Sequence, residues 1–155
     1  MKLRLLTPVP FVIAILATVA IVFSGPASAG RLEGSTSGGL KITVTMTGAA
    51  ERPDPGDPDG TGTASFTFNH GLGEVCYSLE VSGIAPATAA HIHIAPVTDP
   101  GPVVIPLAAP TSGSSSGCVS ADQDLIKAII LNPENYYVNV HNADFGPGAI
   151  RAQLG

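Results

Sequence analysis

The pattern of apolar and polar residues along most of this chain is that of β-strands. Residues 40–47 alternate strictly, with apolar side chains at even positions and polar ones at odd positions, as in a strand with one buried face. Related patterns predict further strands, separated by turns rich in Gly, Pro, Asn and Asp, at residues 61–68, 74–81, 90–94, 103–107, 136–142 and 149–154. Seven or so strands at this spacing predict an antiparallel Greek-key β-sandwich.

One segment has the spacing of a helix instead. Ser120 and Gln123 form the pattern of a capping box, and Asn132-Pro133 would end the helix. The residues between them that share an apolar face are Leu125, Ile126, Ile129 and Ile130. We therefore predict one short helix of about ten residues. The serine-rich residues 111–117 just before it are predicted to be a loop.

The first residues resemble an export signal. Lys2 and Arg4 precede an apolar run over residues 11–23, and Ala27-Ser28-Ala29 supplies the small side chains of a cleavage site. We predict a signal peptide at 1–29, a flexible lead-in at 30–39 and one domain at 40–155. An uncleaved membrane anchor is the alternative, because the apolar stretch is nearly long enough to span a bilayer.

The net charge of the predicted mature chain argues against some classes of binding partner. Two of the seven basic residues lie in the leader, which leaves five against twelve acidic residues and a formal charge of −7. An acidic surface is a poor match for nucleic acid or for an anionic membrane. We expect a secreted protein, extracellular or in the periplasm or cell envelope, with an extracellular or envelope partner of unknown identity.

Cys76 and Cys118 are the two cysteines of the chain. In an exported protein an even number favours a disulfide, and two cysteines allow a single pairing. Such a bond would stabilise the fold by about 4 kcal/mol on the chain-entropy model. Two buried free thiols are the alternative.

The histidines form the most chemically suggestive pattern. His91 and His93 are two residues apart on one predicted strand, so their side chains point the same way. His141 lies on a later predicted strand, where it shares a face with Tyr137 and Asn139. If these two strands are neighbours, the three imidazoles converge.

Two interpretations of this cluster stay open. In the simpler one the rings hydrogen-bond to one another and fix the register of the strands. In the other they bind copper or zinc, for which neutral imidazole is a suitable ligand, with Asn139 or a backbone carbonyl orienting a ring. Three protein ligands would leave one coordination position open. The aspartate-rich loop at 54–60 invites a calcium site, but it lacks the EF-hand pattern and an ordinary turn is favoured.

Several motifs together resemble one family. They are Ala90-His91-Ile92-His93, Gly101-Pro102-Val103-Val104, residues 135–141 and residues 148–154, with Glu51-Arg52-Pro53 and residues 60–64 as an opening segment. This set is similar to the CHRD domain, first described in chordin, over nearly all of residues 40–155. The resemblance implies a secreted or cell-surface β-domain without established catalytic activity.

A weaker similarity concerns copper-zinc superoxide dismutase. In that comparison the sandwich would be immunoglobulin-like or dismutase-like, His91, His93 and His141 match copper-ligand positions, and Arg151 matches an anion-guiding arginine. However, no histidine lies between His93 and His141, so the zinc and bridging ligands of that family are absent. The favoured function is therefore a non-enzymatic binding or structural module with a metal-binding histidine cluster as an option. A copper-dependent oxidoreductase and a scaffold without a ligand are the alternatives.

Overall fold

The structure, a computed structural model, describes residues 38–155. The predicted signal peptide and nearly all of the predicted lead-in lie outside the described residues. The eight strands are β1 (Leu40–Thr47), β2 (Thr61–Asn69), β3 (Glu74–Ser82), β4 (Ala87–Ile94), β5 (Val103–Leu107), β6 (Ser114–Ser120), β7 (Tyr136–Asn142) and β8 (Ile150–Gln153). The α-helix α1 spans Gln123–Leu131, and three short 3-10 turns cover Gly48–Ala50, His70–Leu72 and Pro133–Asn135. No helix within residues 38–155 is both long and apolar enough to cross a membrane.

The strands form one sheet in the order β5-β4-β7-β8-β1-β2-β3-β6, with antiparallel pairing of neighbours. Its two halves meet at β1 and β8, where one residue pair, Thr47 with Arg151, continues the ladder. The core contains side chains of both halves, so the sheet folds over itself as a sandwich. Phe66 and Leu79 come from one half, and Ile92 and Val138 from the other. The predicted all-β fold with one short helix is confirmed.

The helix lies against this core, but its N-cap differs from the predicted one. Asp122, not Ser120, is the N-cap, and its side chain accepts a hydrogen bond of 3.0 Å from the Leu125 N–H. Ser120 is the last residue of β6, where its backbone belongs to the sheet. Gln123 donates to the Gly71 carbonyl instead of closing a capping box. Ile129 of the predicted apolar face is fully buried in the core.

Strand β6 is the one strand that the sequence pattern did not predict. The residues taken as a serine-rich loop pair with β3, and this pairing places Cys76 directly opposite Cys118. The two cysteines form the predicted disulfide. Because β6 lies at an edge of the sheet, most of its side chains face solvent and it needs no apolar alternation.

Candidate functional site

The histidine cluster is built by the pairing of β4 with β7. The register sets His91 opposite Asn139 and His93 opposite Tyr137, with His141 opposite Ala89. All three histidines therefore lie on the face of the sheet opposite the core, since their neighbours Ile92 and Val140 point into it. The ladder between β4 and β5 is irregular between Ile92 and His93, and such bulges change the direction of a side chain.

The three rings converge closely enough to share one ion. One ring nitrogen from each of His91, His93 and His141 lies within 4.8 Å of the other two. The Nδ1 atom of His91 is 3.3 Å from the Nε2 atom of His141. Metal–nitrogen bonds of about 2.0–2.1 Å in a tetrahedral site separate two ligand nitrogens by about 3.4 Å. The nitrogens of His91 and His141 thus already have nearly the separation of two ligands of one metal ion. The ring of His93 would need a small displacement to join them.

Backbone carbonyls orient two of the rings. His93 Nδ1 is 2.8 Å from the Gly101 oxygen, and His141 Nδ1 is 2.8 Å from the Gly146 oxygen. A carbonyl oxygen only accepts, so both Nδ1 atoms carry the proton and, in the neutral rings, both Nε2 atoms carry a lone pair. Hydrogen bonds of this kind usually fix the second nitrogen of metal-binding histidines. The carbonyls come from the β4–β5 and β7–β8 loops.

Asn139 joins the cluster from the middle of β7. Its side-chain Oδ1 lies 3.1 Å from His141 Nε2, and the residue is buried. An amide offers either an acceptor or a donor on a given side, depending on its rotamer. With Oδ1 facing the ring, the contact is a hydrogen bond only when His141 Nε2 carries a proton, since an amide oxygen accepts and does not donate.

The Nε2 atom of His93 is buried without a hydrogen-bond partner. His93 as a whole is only 7% exposed, and a buried polar atom without a partner costs about 1–3 kcal/mol. The Asn139 side chain lies close enough to raise the pKa of His93 as a hydrogen-bond acceptor of the protonated ring, but it makes no hydrogen bond of standard geometry with Nε2. A lone pair in the middle of a histidine cluster is thus left without a donor.

The electrostatics of the cluster keep two of its rings neutral. Burial lowers the pKa of His91, and the nearby His141 and His93 lower it further. Burial is also the main cause that lowers the pKa of His93, although the Gly101 hydrogen bond acts in the opposite direction. Neutral imidazole is the form that binds a metal.

Tyr137 supports His93 from the neighbouring strand. Its ring stacks on the His93 ring at 4.7 Å between centroids and 7° between planes. The Gly101 N–H donates to the Tyr137 hydroxyl at 3.1 Å, while the Gly101 carbonyl accepts from His93. A Cβ at Gly101 would overlap the Ile94 carbonyl oxygen, so the loop passes this point only with glycine. Gly101 therefore positions both rings, that of Tyr137 through its N–H and that of His93 through its carbonyl oxygen.

Arg151 lies in the interior, where its guanidinium stacks 3.5 Å above the centroid of the Tyr137 ring. It donates to the Asp99 and Pro96 carbonyls at 3.1 and 3.0 Å and is only 1% exposed. Burial lowers its pKa, against the opposing effects of Tyr137 and Glu51. These contacts are those of a residue that fastens the β4–β5 loop over the cluster, and they give no support to the predicted role in attracting an anion.

Glu51 is a buried acid that the sequence pattern did not single out, beyond its place in the opening segment of the family resemblance. It follows β1 and is only 2% exposed. Burial raises its pKa to about 7, despite the opposing effects of Arg151 and of hydrogen bonds from the Arg52 backbone and the Asn139 side chain. Its Oε1 atom has no hydrogen-bond partner. No periodicity marks this position, because it lies in a loop.

A second group of candidate ligand atoms is formed by Glu74, Cys76 and Cys118. The two sulfur atoms are bonded to each other, and metal sites need thiolates. This group is therefore explained by the disulfide.

The comparison with known families identifies the domain. A model of the CHRD domain matches residues 42–154. The chain belongs to the CHRD family. This match includes all three histidines of the cluster as well as Glu51 and Arg151, and it lies within the predicted domain at 40–155. Neither a curated protein nor a solved structure gives a significant match to this CHRD chain.

Proposed function

We propose that this protein is an exported, non-enzymatic CHRD module that binds one copper or zinc ion through His91, His93 and His141. The observation that carries the proposal is the buried Nε2 atom of His93, which has no hydrogen-bond partner. If the cluster were only a set of mutual hydrogen bonds, this atom should take part in them. A metal ion would use its lone pair and remove the cost of burying it.

The other two histidines support the same conclusion. The Nε2 atom of His141 carries a lone pair when its ring is neutral, and it lies near His91 Nδ1. Three neutral nitrogen ligands suit copper and zinc better than calcium or magnesium, which prefer oxygen. Carbonyl oxygens that orient two of the rings reduce the entropy lost when an ion binds.

Export is supported by the disulfide, which persists in oxidising compartments. The export signal at 1–29 stays a prediction. The dismutase-like alternative has less support, because Arg151 is buried and its guanidinium donates to three acceptors inside the protein. A non-enzymatic role fits this geometry better.

Metal loading of matched histidine variants tests the proposal. Purified protein is treated with a chelator, dialysed and titrated with Cu²⁺ or Zn²⁺, and bound metal is counted by elemental analysis. We expect one ion per chain in the wild type and its loss in His93→Ala and His141→Ala. His70→Ala is the control, because His70 is exposed in the turn after β2.

Two further readouts separate binding at the cluster from general adhesion of metal. Binding should raise the unfolding temperature of the wild type, since a ligand of the folded state stabilises it, and not that of His93→Ala. The proposal would be refuted if the wild type retained no metal. It would also be refuted if His70→Ala and His93→Ala lost equal amounts of bound metal. Superoxide turnover by the loaded protein would favour the oxidoreductase instead.

A further inference from the structure

The amide oxygen of Asn139 is buried beside the histidine cluster. Asn139 lies opposite His91 in the β4–β7 ladder and is only 2% exposed. Its Oδ1 atom is 3.1 Å from Nε2 of His141. The side chain is also close enough to His93 to raise the pKa of that ring as a hydrogen-bond acceptor. One amide oxygen is therefore near two of the three candidate ligands, and the register sets its residue opposite the third.

Glu51 supports this orientation of the amide. The Asn139 side chain lies close enough to the Glu51 carboxyl group to lower its pKa as a hydrogen-bond donor. An amide donates only through its nitrogen, and a carboxylate only accepts. The Nδ2 group of Asn139 therefore belongs on the side of Glu51. Since the nitrogen and the oxygen of an amide point in different directions, Oδ1 is then directed at the histidines.

The contacts of His141 need more protons than a neutral ring has. Its Nδ1 atom is 2.8 Å from the Gly146 carbonyl oxygen, and its Nε2 atom is 3.1 Å from Asn139 Oδ1. A neutral imidazole carries one proton and donates to one of these oxygens, not to both. With the proton on Nδ1, the Nε2 atom of His141 and the oxygen of Asn139 are two acceptors in contact. The Nε2 atom of His93 is a third acceptor without a donor.

A cation would bring these acceptors together. Two acceptors at 3.1 Å repel each other unless a positive charge lies between them. In a tetrahedral metal site with bonds of about 2.0–2.1 Å, two ligand atoms are about 3.4 Å apart. The contact of Asn139 Oδ1 with His141 Nε2 at 3.1 Å and that of His91 Nδ1 with the same atom at 3.3 Å are both close to this separation. The amide oxygen thus already has nearly the spacing of a ligand.

We propose that Asn139 Oδ1 is the fourth ligand of the metal ion and closes the site with three imidazole nitrogens and one amide oxygen. This inference rests on the proposed function and deepens it. A set of nitrogen and oxygen ligands without a thiolate or thioether suits a divalent ion such as Zn²⁺ better than Cu⁺, which prefers soft ligands. Four protein ligands leave no position open for a substrate, as in structural zinc sites.

Access of a small anion to the bound metal tests whether the site is closed. Zn²⁺ has a filled d shell, so Co²⁺, whose visible spectrum depends on its coordination, is used in its place. The protein is loaded with one Co²⁺ per chain at pH 8, above the pKa of about 7 of Glu51, and titrated with azide. We expect azide to leave the wild-type spectrum unchanged and to change that of Asn139→Ala, in which water takes the place of the amide oxygen. Asn135→Ala, at an exposed asparagine in the turn before β7, is the control and should behave as the wild type.

The affinity for Zn²⁺ gives a second readout. Asn139→Ala should bind Zn²⁺ at least about tenfold more weakly than the wild type, because even the loss of a residue that only hydrogen-bonds to a metal ligand costs about 10–100-fold. Asn135→Ala should not change the affinity. Circular dichroism verifies that each variant is folded. If Asn139→Ala does not fold, the wild type alone decides, since a spectrum that azide changes excludes a closed site and an unchanged one supports it.

The outcomes separate this inference from the proposed function. If the wild type takes up no metal, both fail together. If the wild type binds one ion and loses it in His93→Ala, but azide changes its spectrum as it does that of Asn139→Ala, the histidine site stands and the fourth ligand is wrong. Equal affinities of the wild type and Asn139→Ala for Zn²⁺ would overturn the fourth ligand in the same way.

Discussion

Replacement of Glu51 by Gln should change how the stability of this domain depends on pH. The wild-type carboxyl group is buried, and burial raises its pKa from 4.5 to about 7. Glutamine has nearly the same shape and can accept the hydrogen bonds from the Arg52 backbone and the Asn139 side chain, but it does not ionise. The substitution therefore removes the cost of a buried negative charge without opening a cavity.

The sign and the size of this change in stability with pH follow from proton linkage. Between pH 4.5 and 7 the folded state holds its proton on Glu51 more firmly than the unfolded state does, so stability falls as pH rises through this window. Each pKa unit corresponds to about 1.36 kcal/mol. The full difference is about 3 kcal/mol, of which about 2.5 kcal/mol is lost between pH 5 and pH 8.

Urea unfolding at several pH values with the disulfide intact measures this effect. The chain has three tyrosines and no tryptophan, so tyrosine fluorescence and circular dichroism are the suitable signals. The stability of Glu51→Gln minus that of the wild type should grow by about 2.5 kcal/mol from pH 5 to pH 8. Glu80→Gln, at an exposed position, is the control and should follow the wild type.

The histidines act in the opposite direction but do not affect this difference. Burial lowers the pKa of His91 and of His93 from 6.5, so in the metal-free protein their contribution is present above pH 6.5 and is lost as pH falls. Both Glu51→Gln and wild type carry it. Parallel stability curves for these two proteins between pH 5 and pH 8 would refute the argument that the Glu51 charge is buried at a cost.

Further predictions concern the disulfide, the helix cap and the loop over the cluster. Replacing Cys76 and Cys118 by Ser should lower the free energy of unfolding by about 4 kcal/mol, as measured by denaturant unfolding; an unchanged midpoint would contradict a stabilising bond. Asp122→Ala should cost about 1 kcal/mol, because it removes the side-chain acceptor of the helix N-terminus, whereas Ser120→Ala should cost clearly less in the same assay. Gly101→Ala should weaken metal binding about 10–100-fold, because the loop that orients His93 must move; a metal titration equal to that of the wild type would show that this orientation does not matter.

Much of the fold follows from local patterns in the sequence. The alternation over residues 40–47 and the run over 136–142 predicted β1 and β7 with the bounds that the structure has, because a half-buried or fully buried strand needs apolar side chains at set intervals. Strand β6 does not need apolar side chains at set intervals, because it lies at an edge of the sheet. Its backbone is held by β3 on one side, and serines at a sheet edge look like a loop in composition alone.

The helix shows a similar limit at its N-terminus. Ser120 and Asp122 are both good N-cap residues, and the sequence does not state which one leaves the sheet. The pairing of β6 with β3 continues through Ser120, so the cap moves to Asp122. A tertiary contact decided between two local options that are nearly equal.

The sequence by itself determined that three histidines could face one way, because side chains two residues apart share a face of a strand. It did not determine that β4 and β7 are neighbours, nor that the Gly101 carbonyl binds Nδ1 of His93 while its Nε2 atom is buried without a hydrogen-bond partner. The burial of Glu51 was likewise decided only by the tertiary structure, since Gly148, in a loop distant in sequence, packs against its carboxyl group. The physical reason is that periodicity records which face a strand buries, whereas burial and the partners of a polar atom depend on chain segments that no local pattern connects.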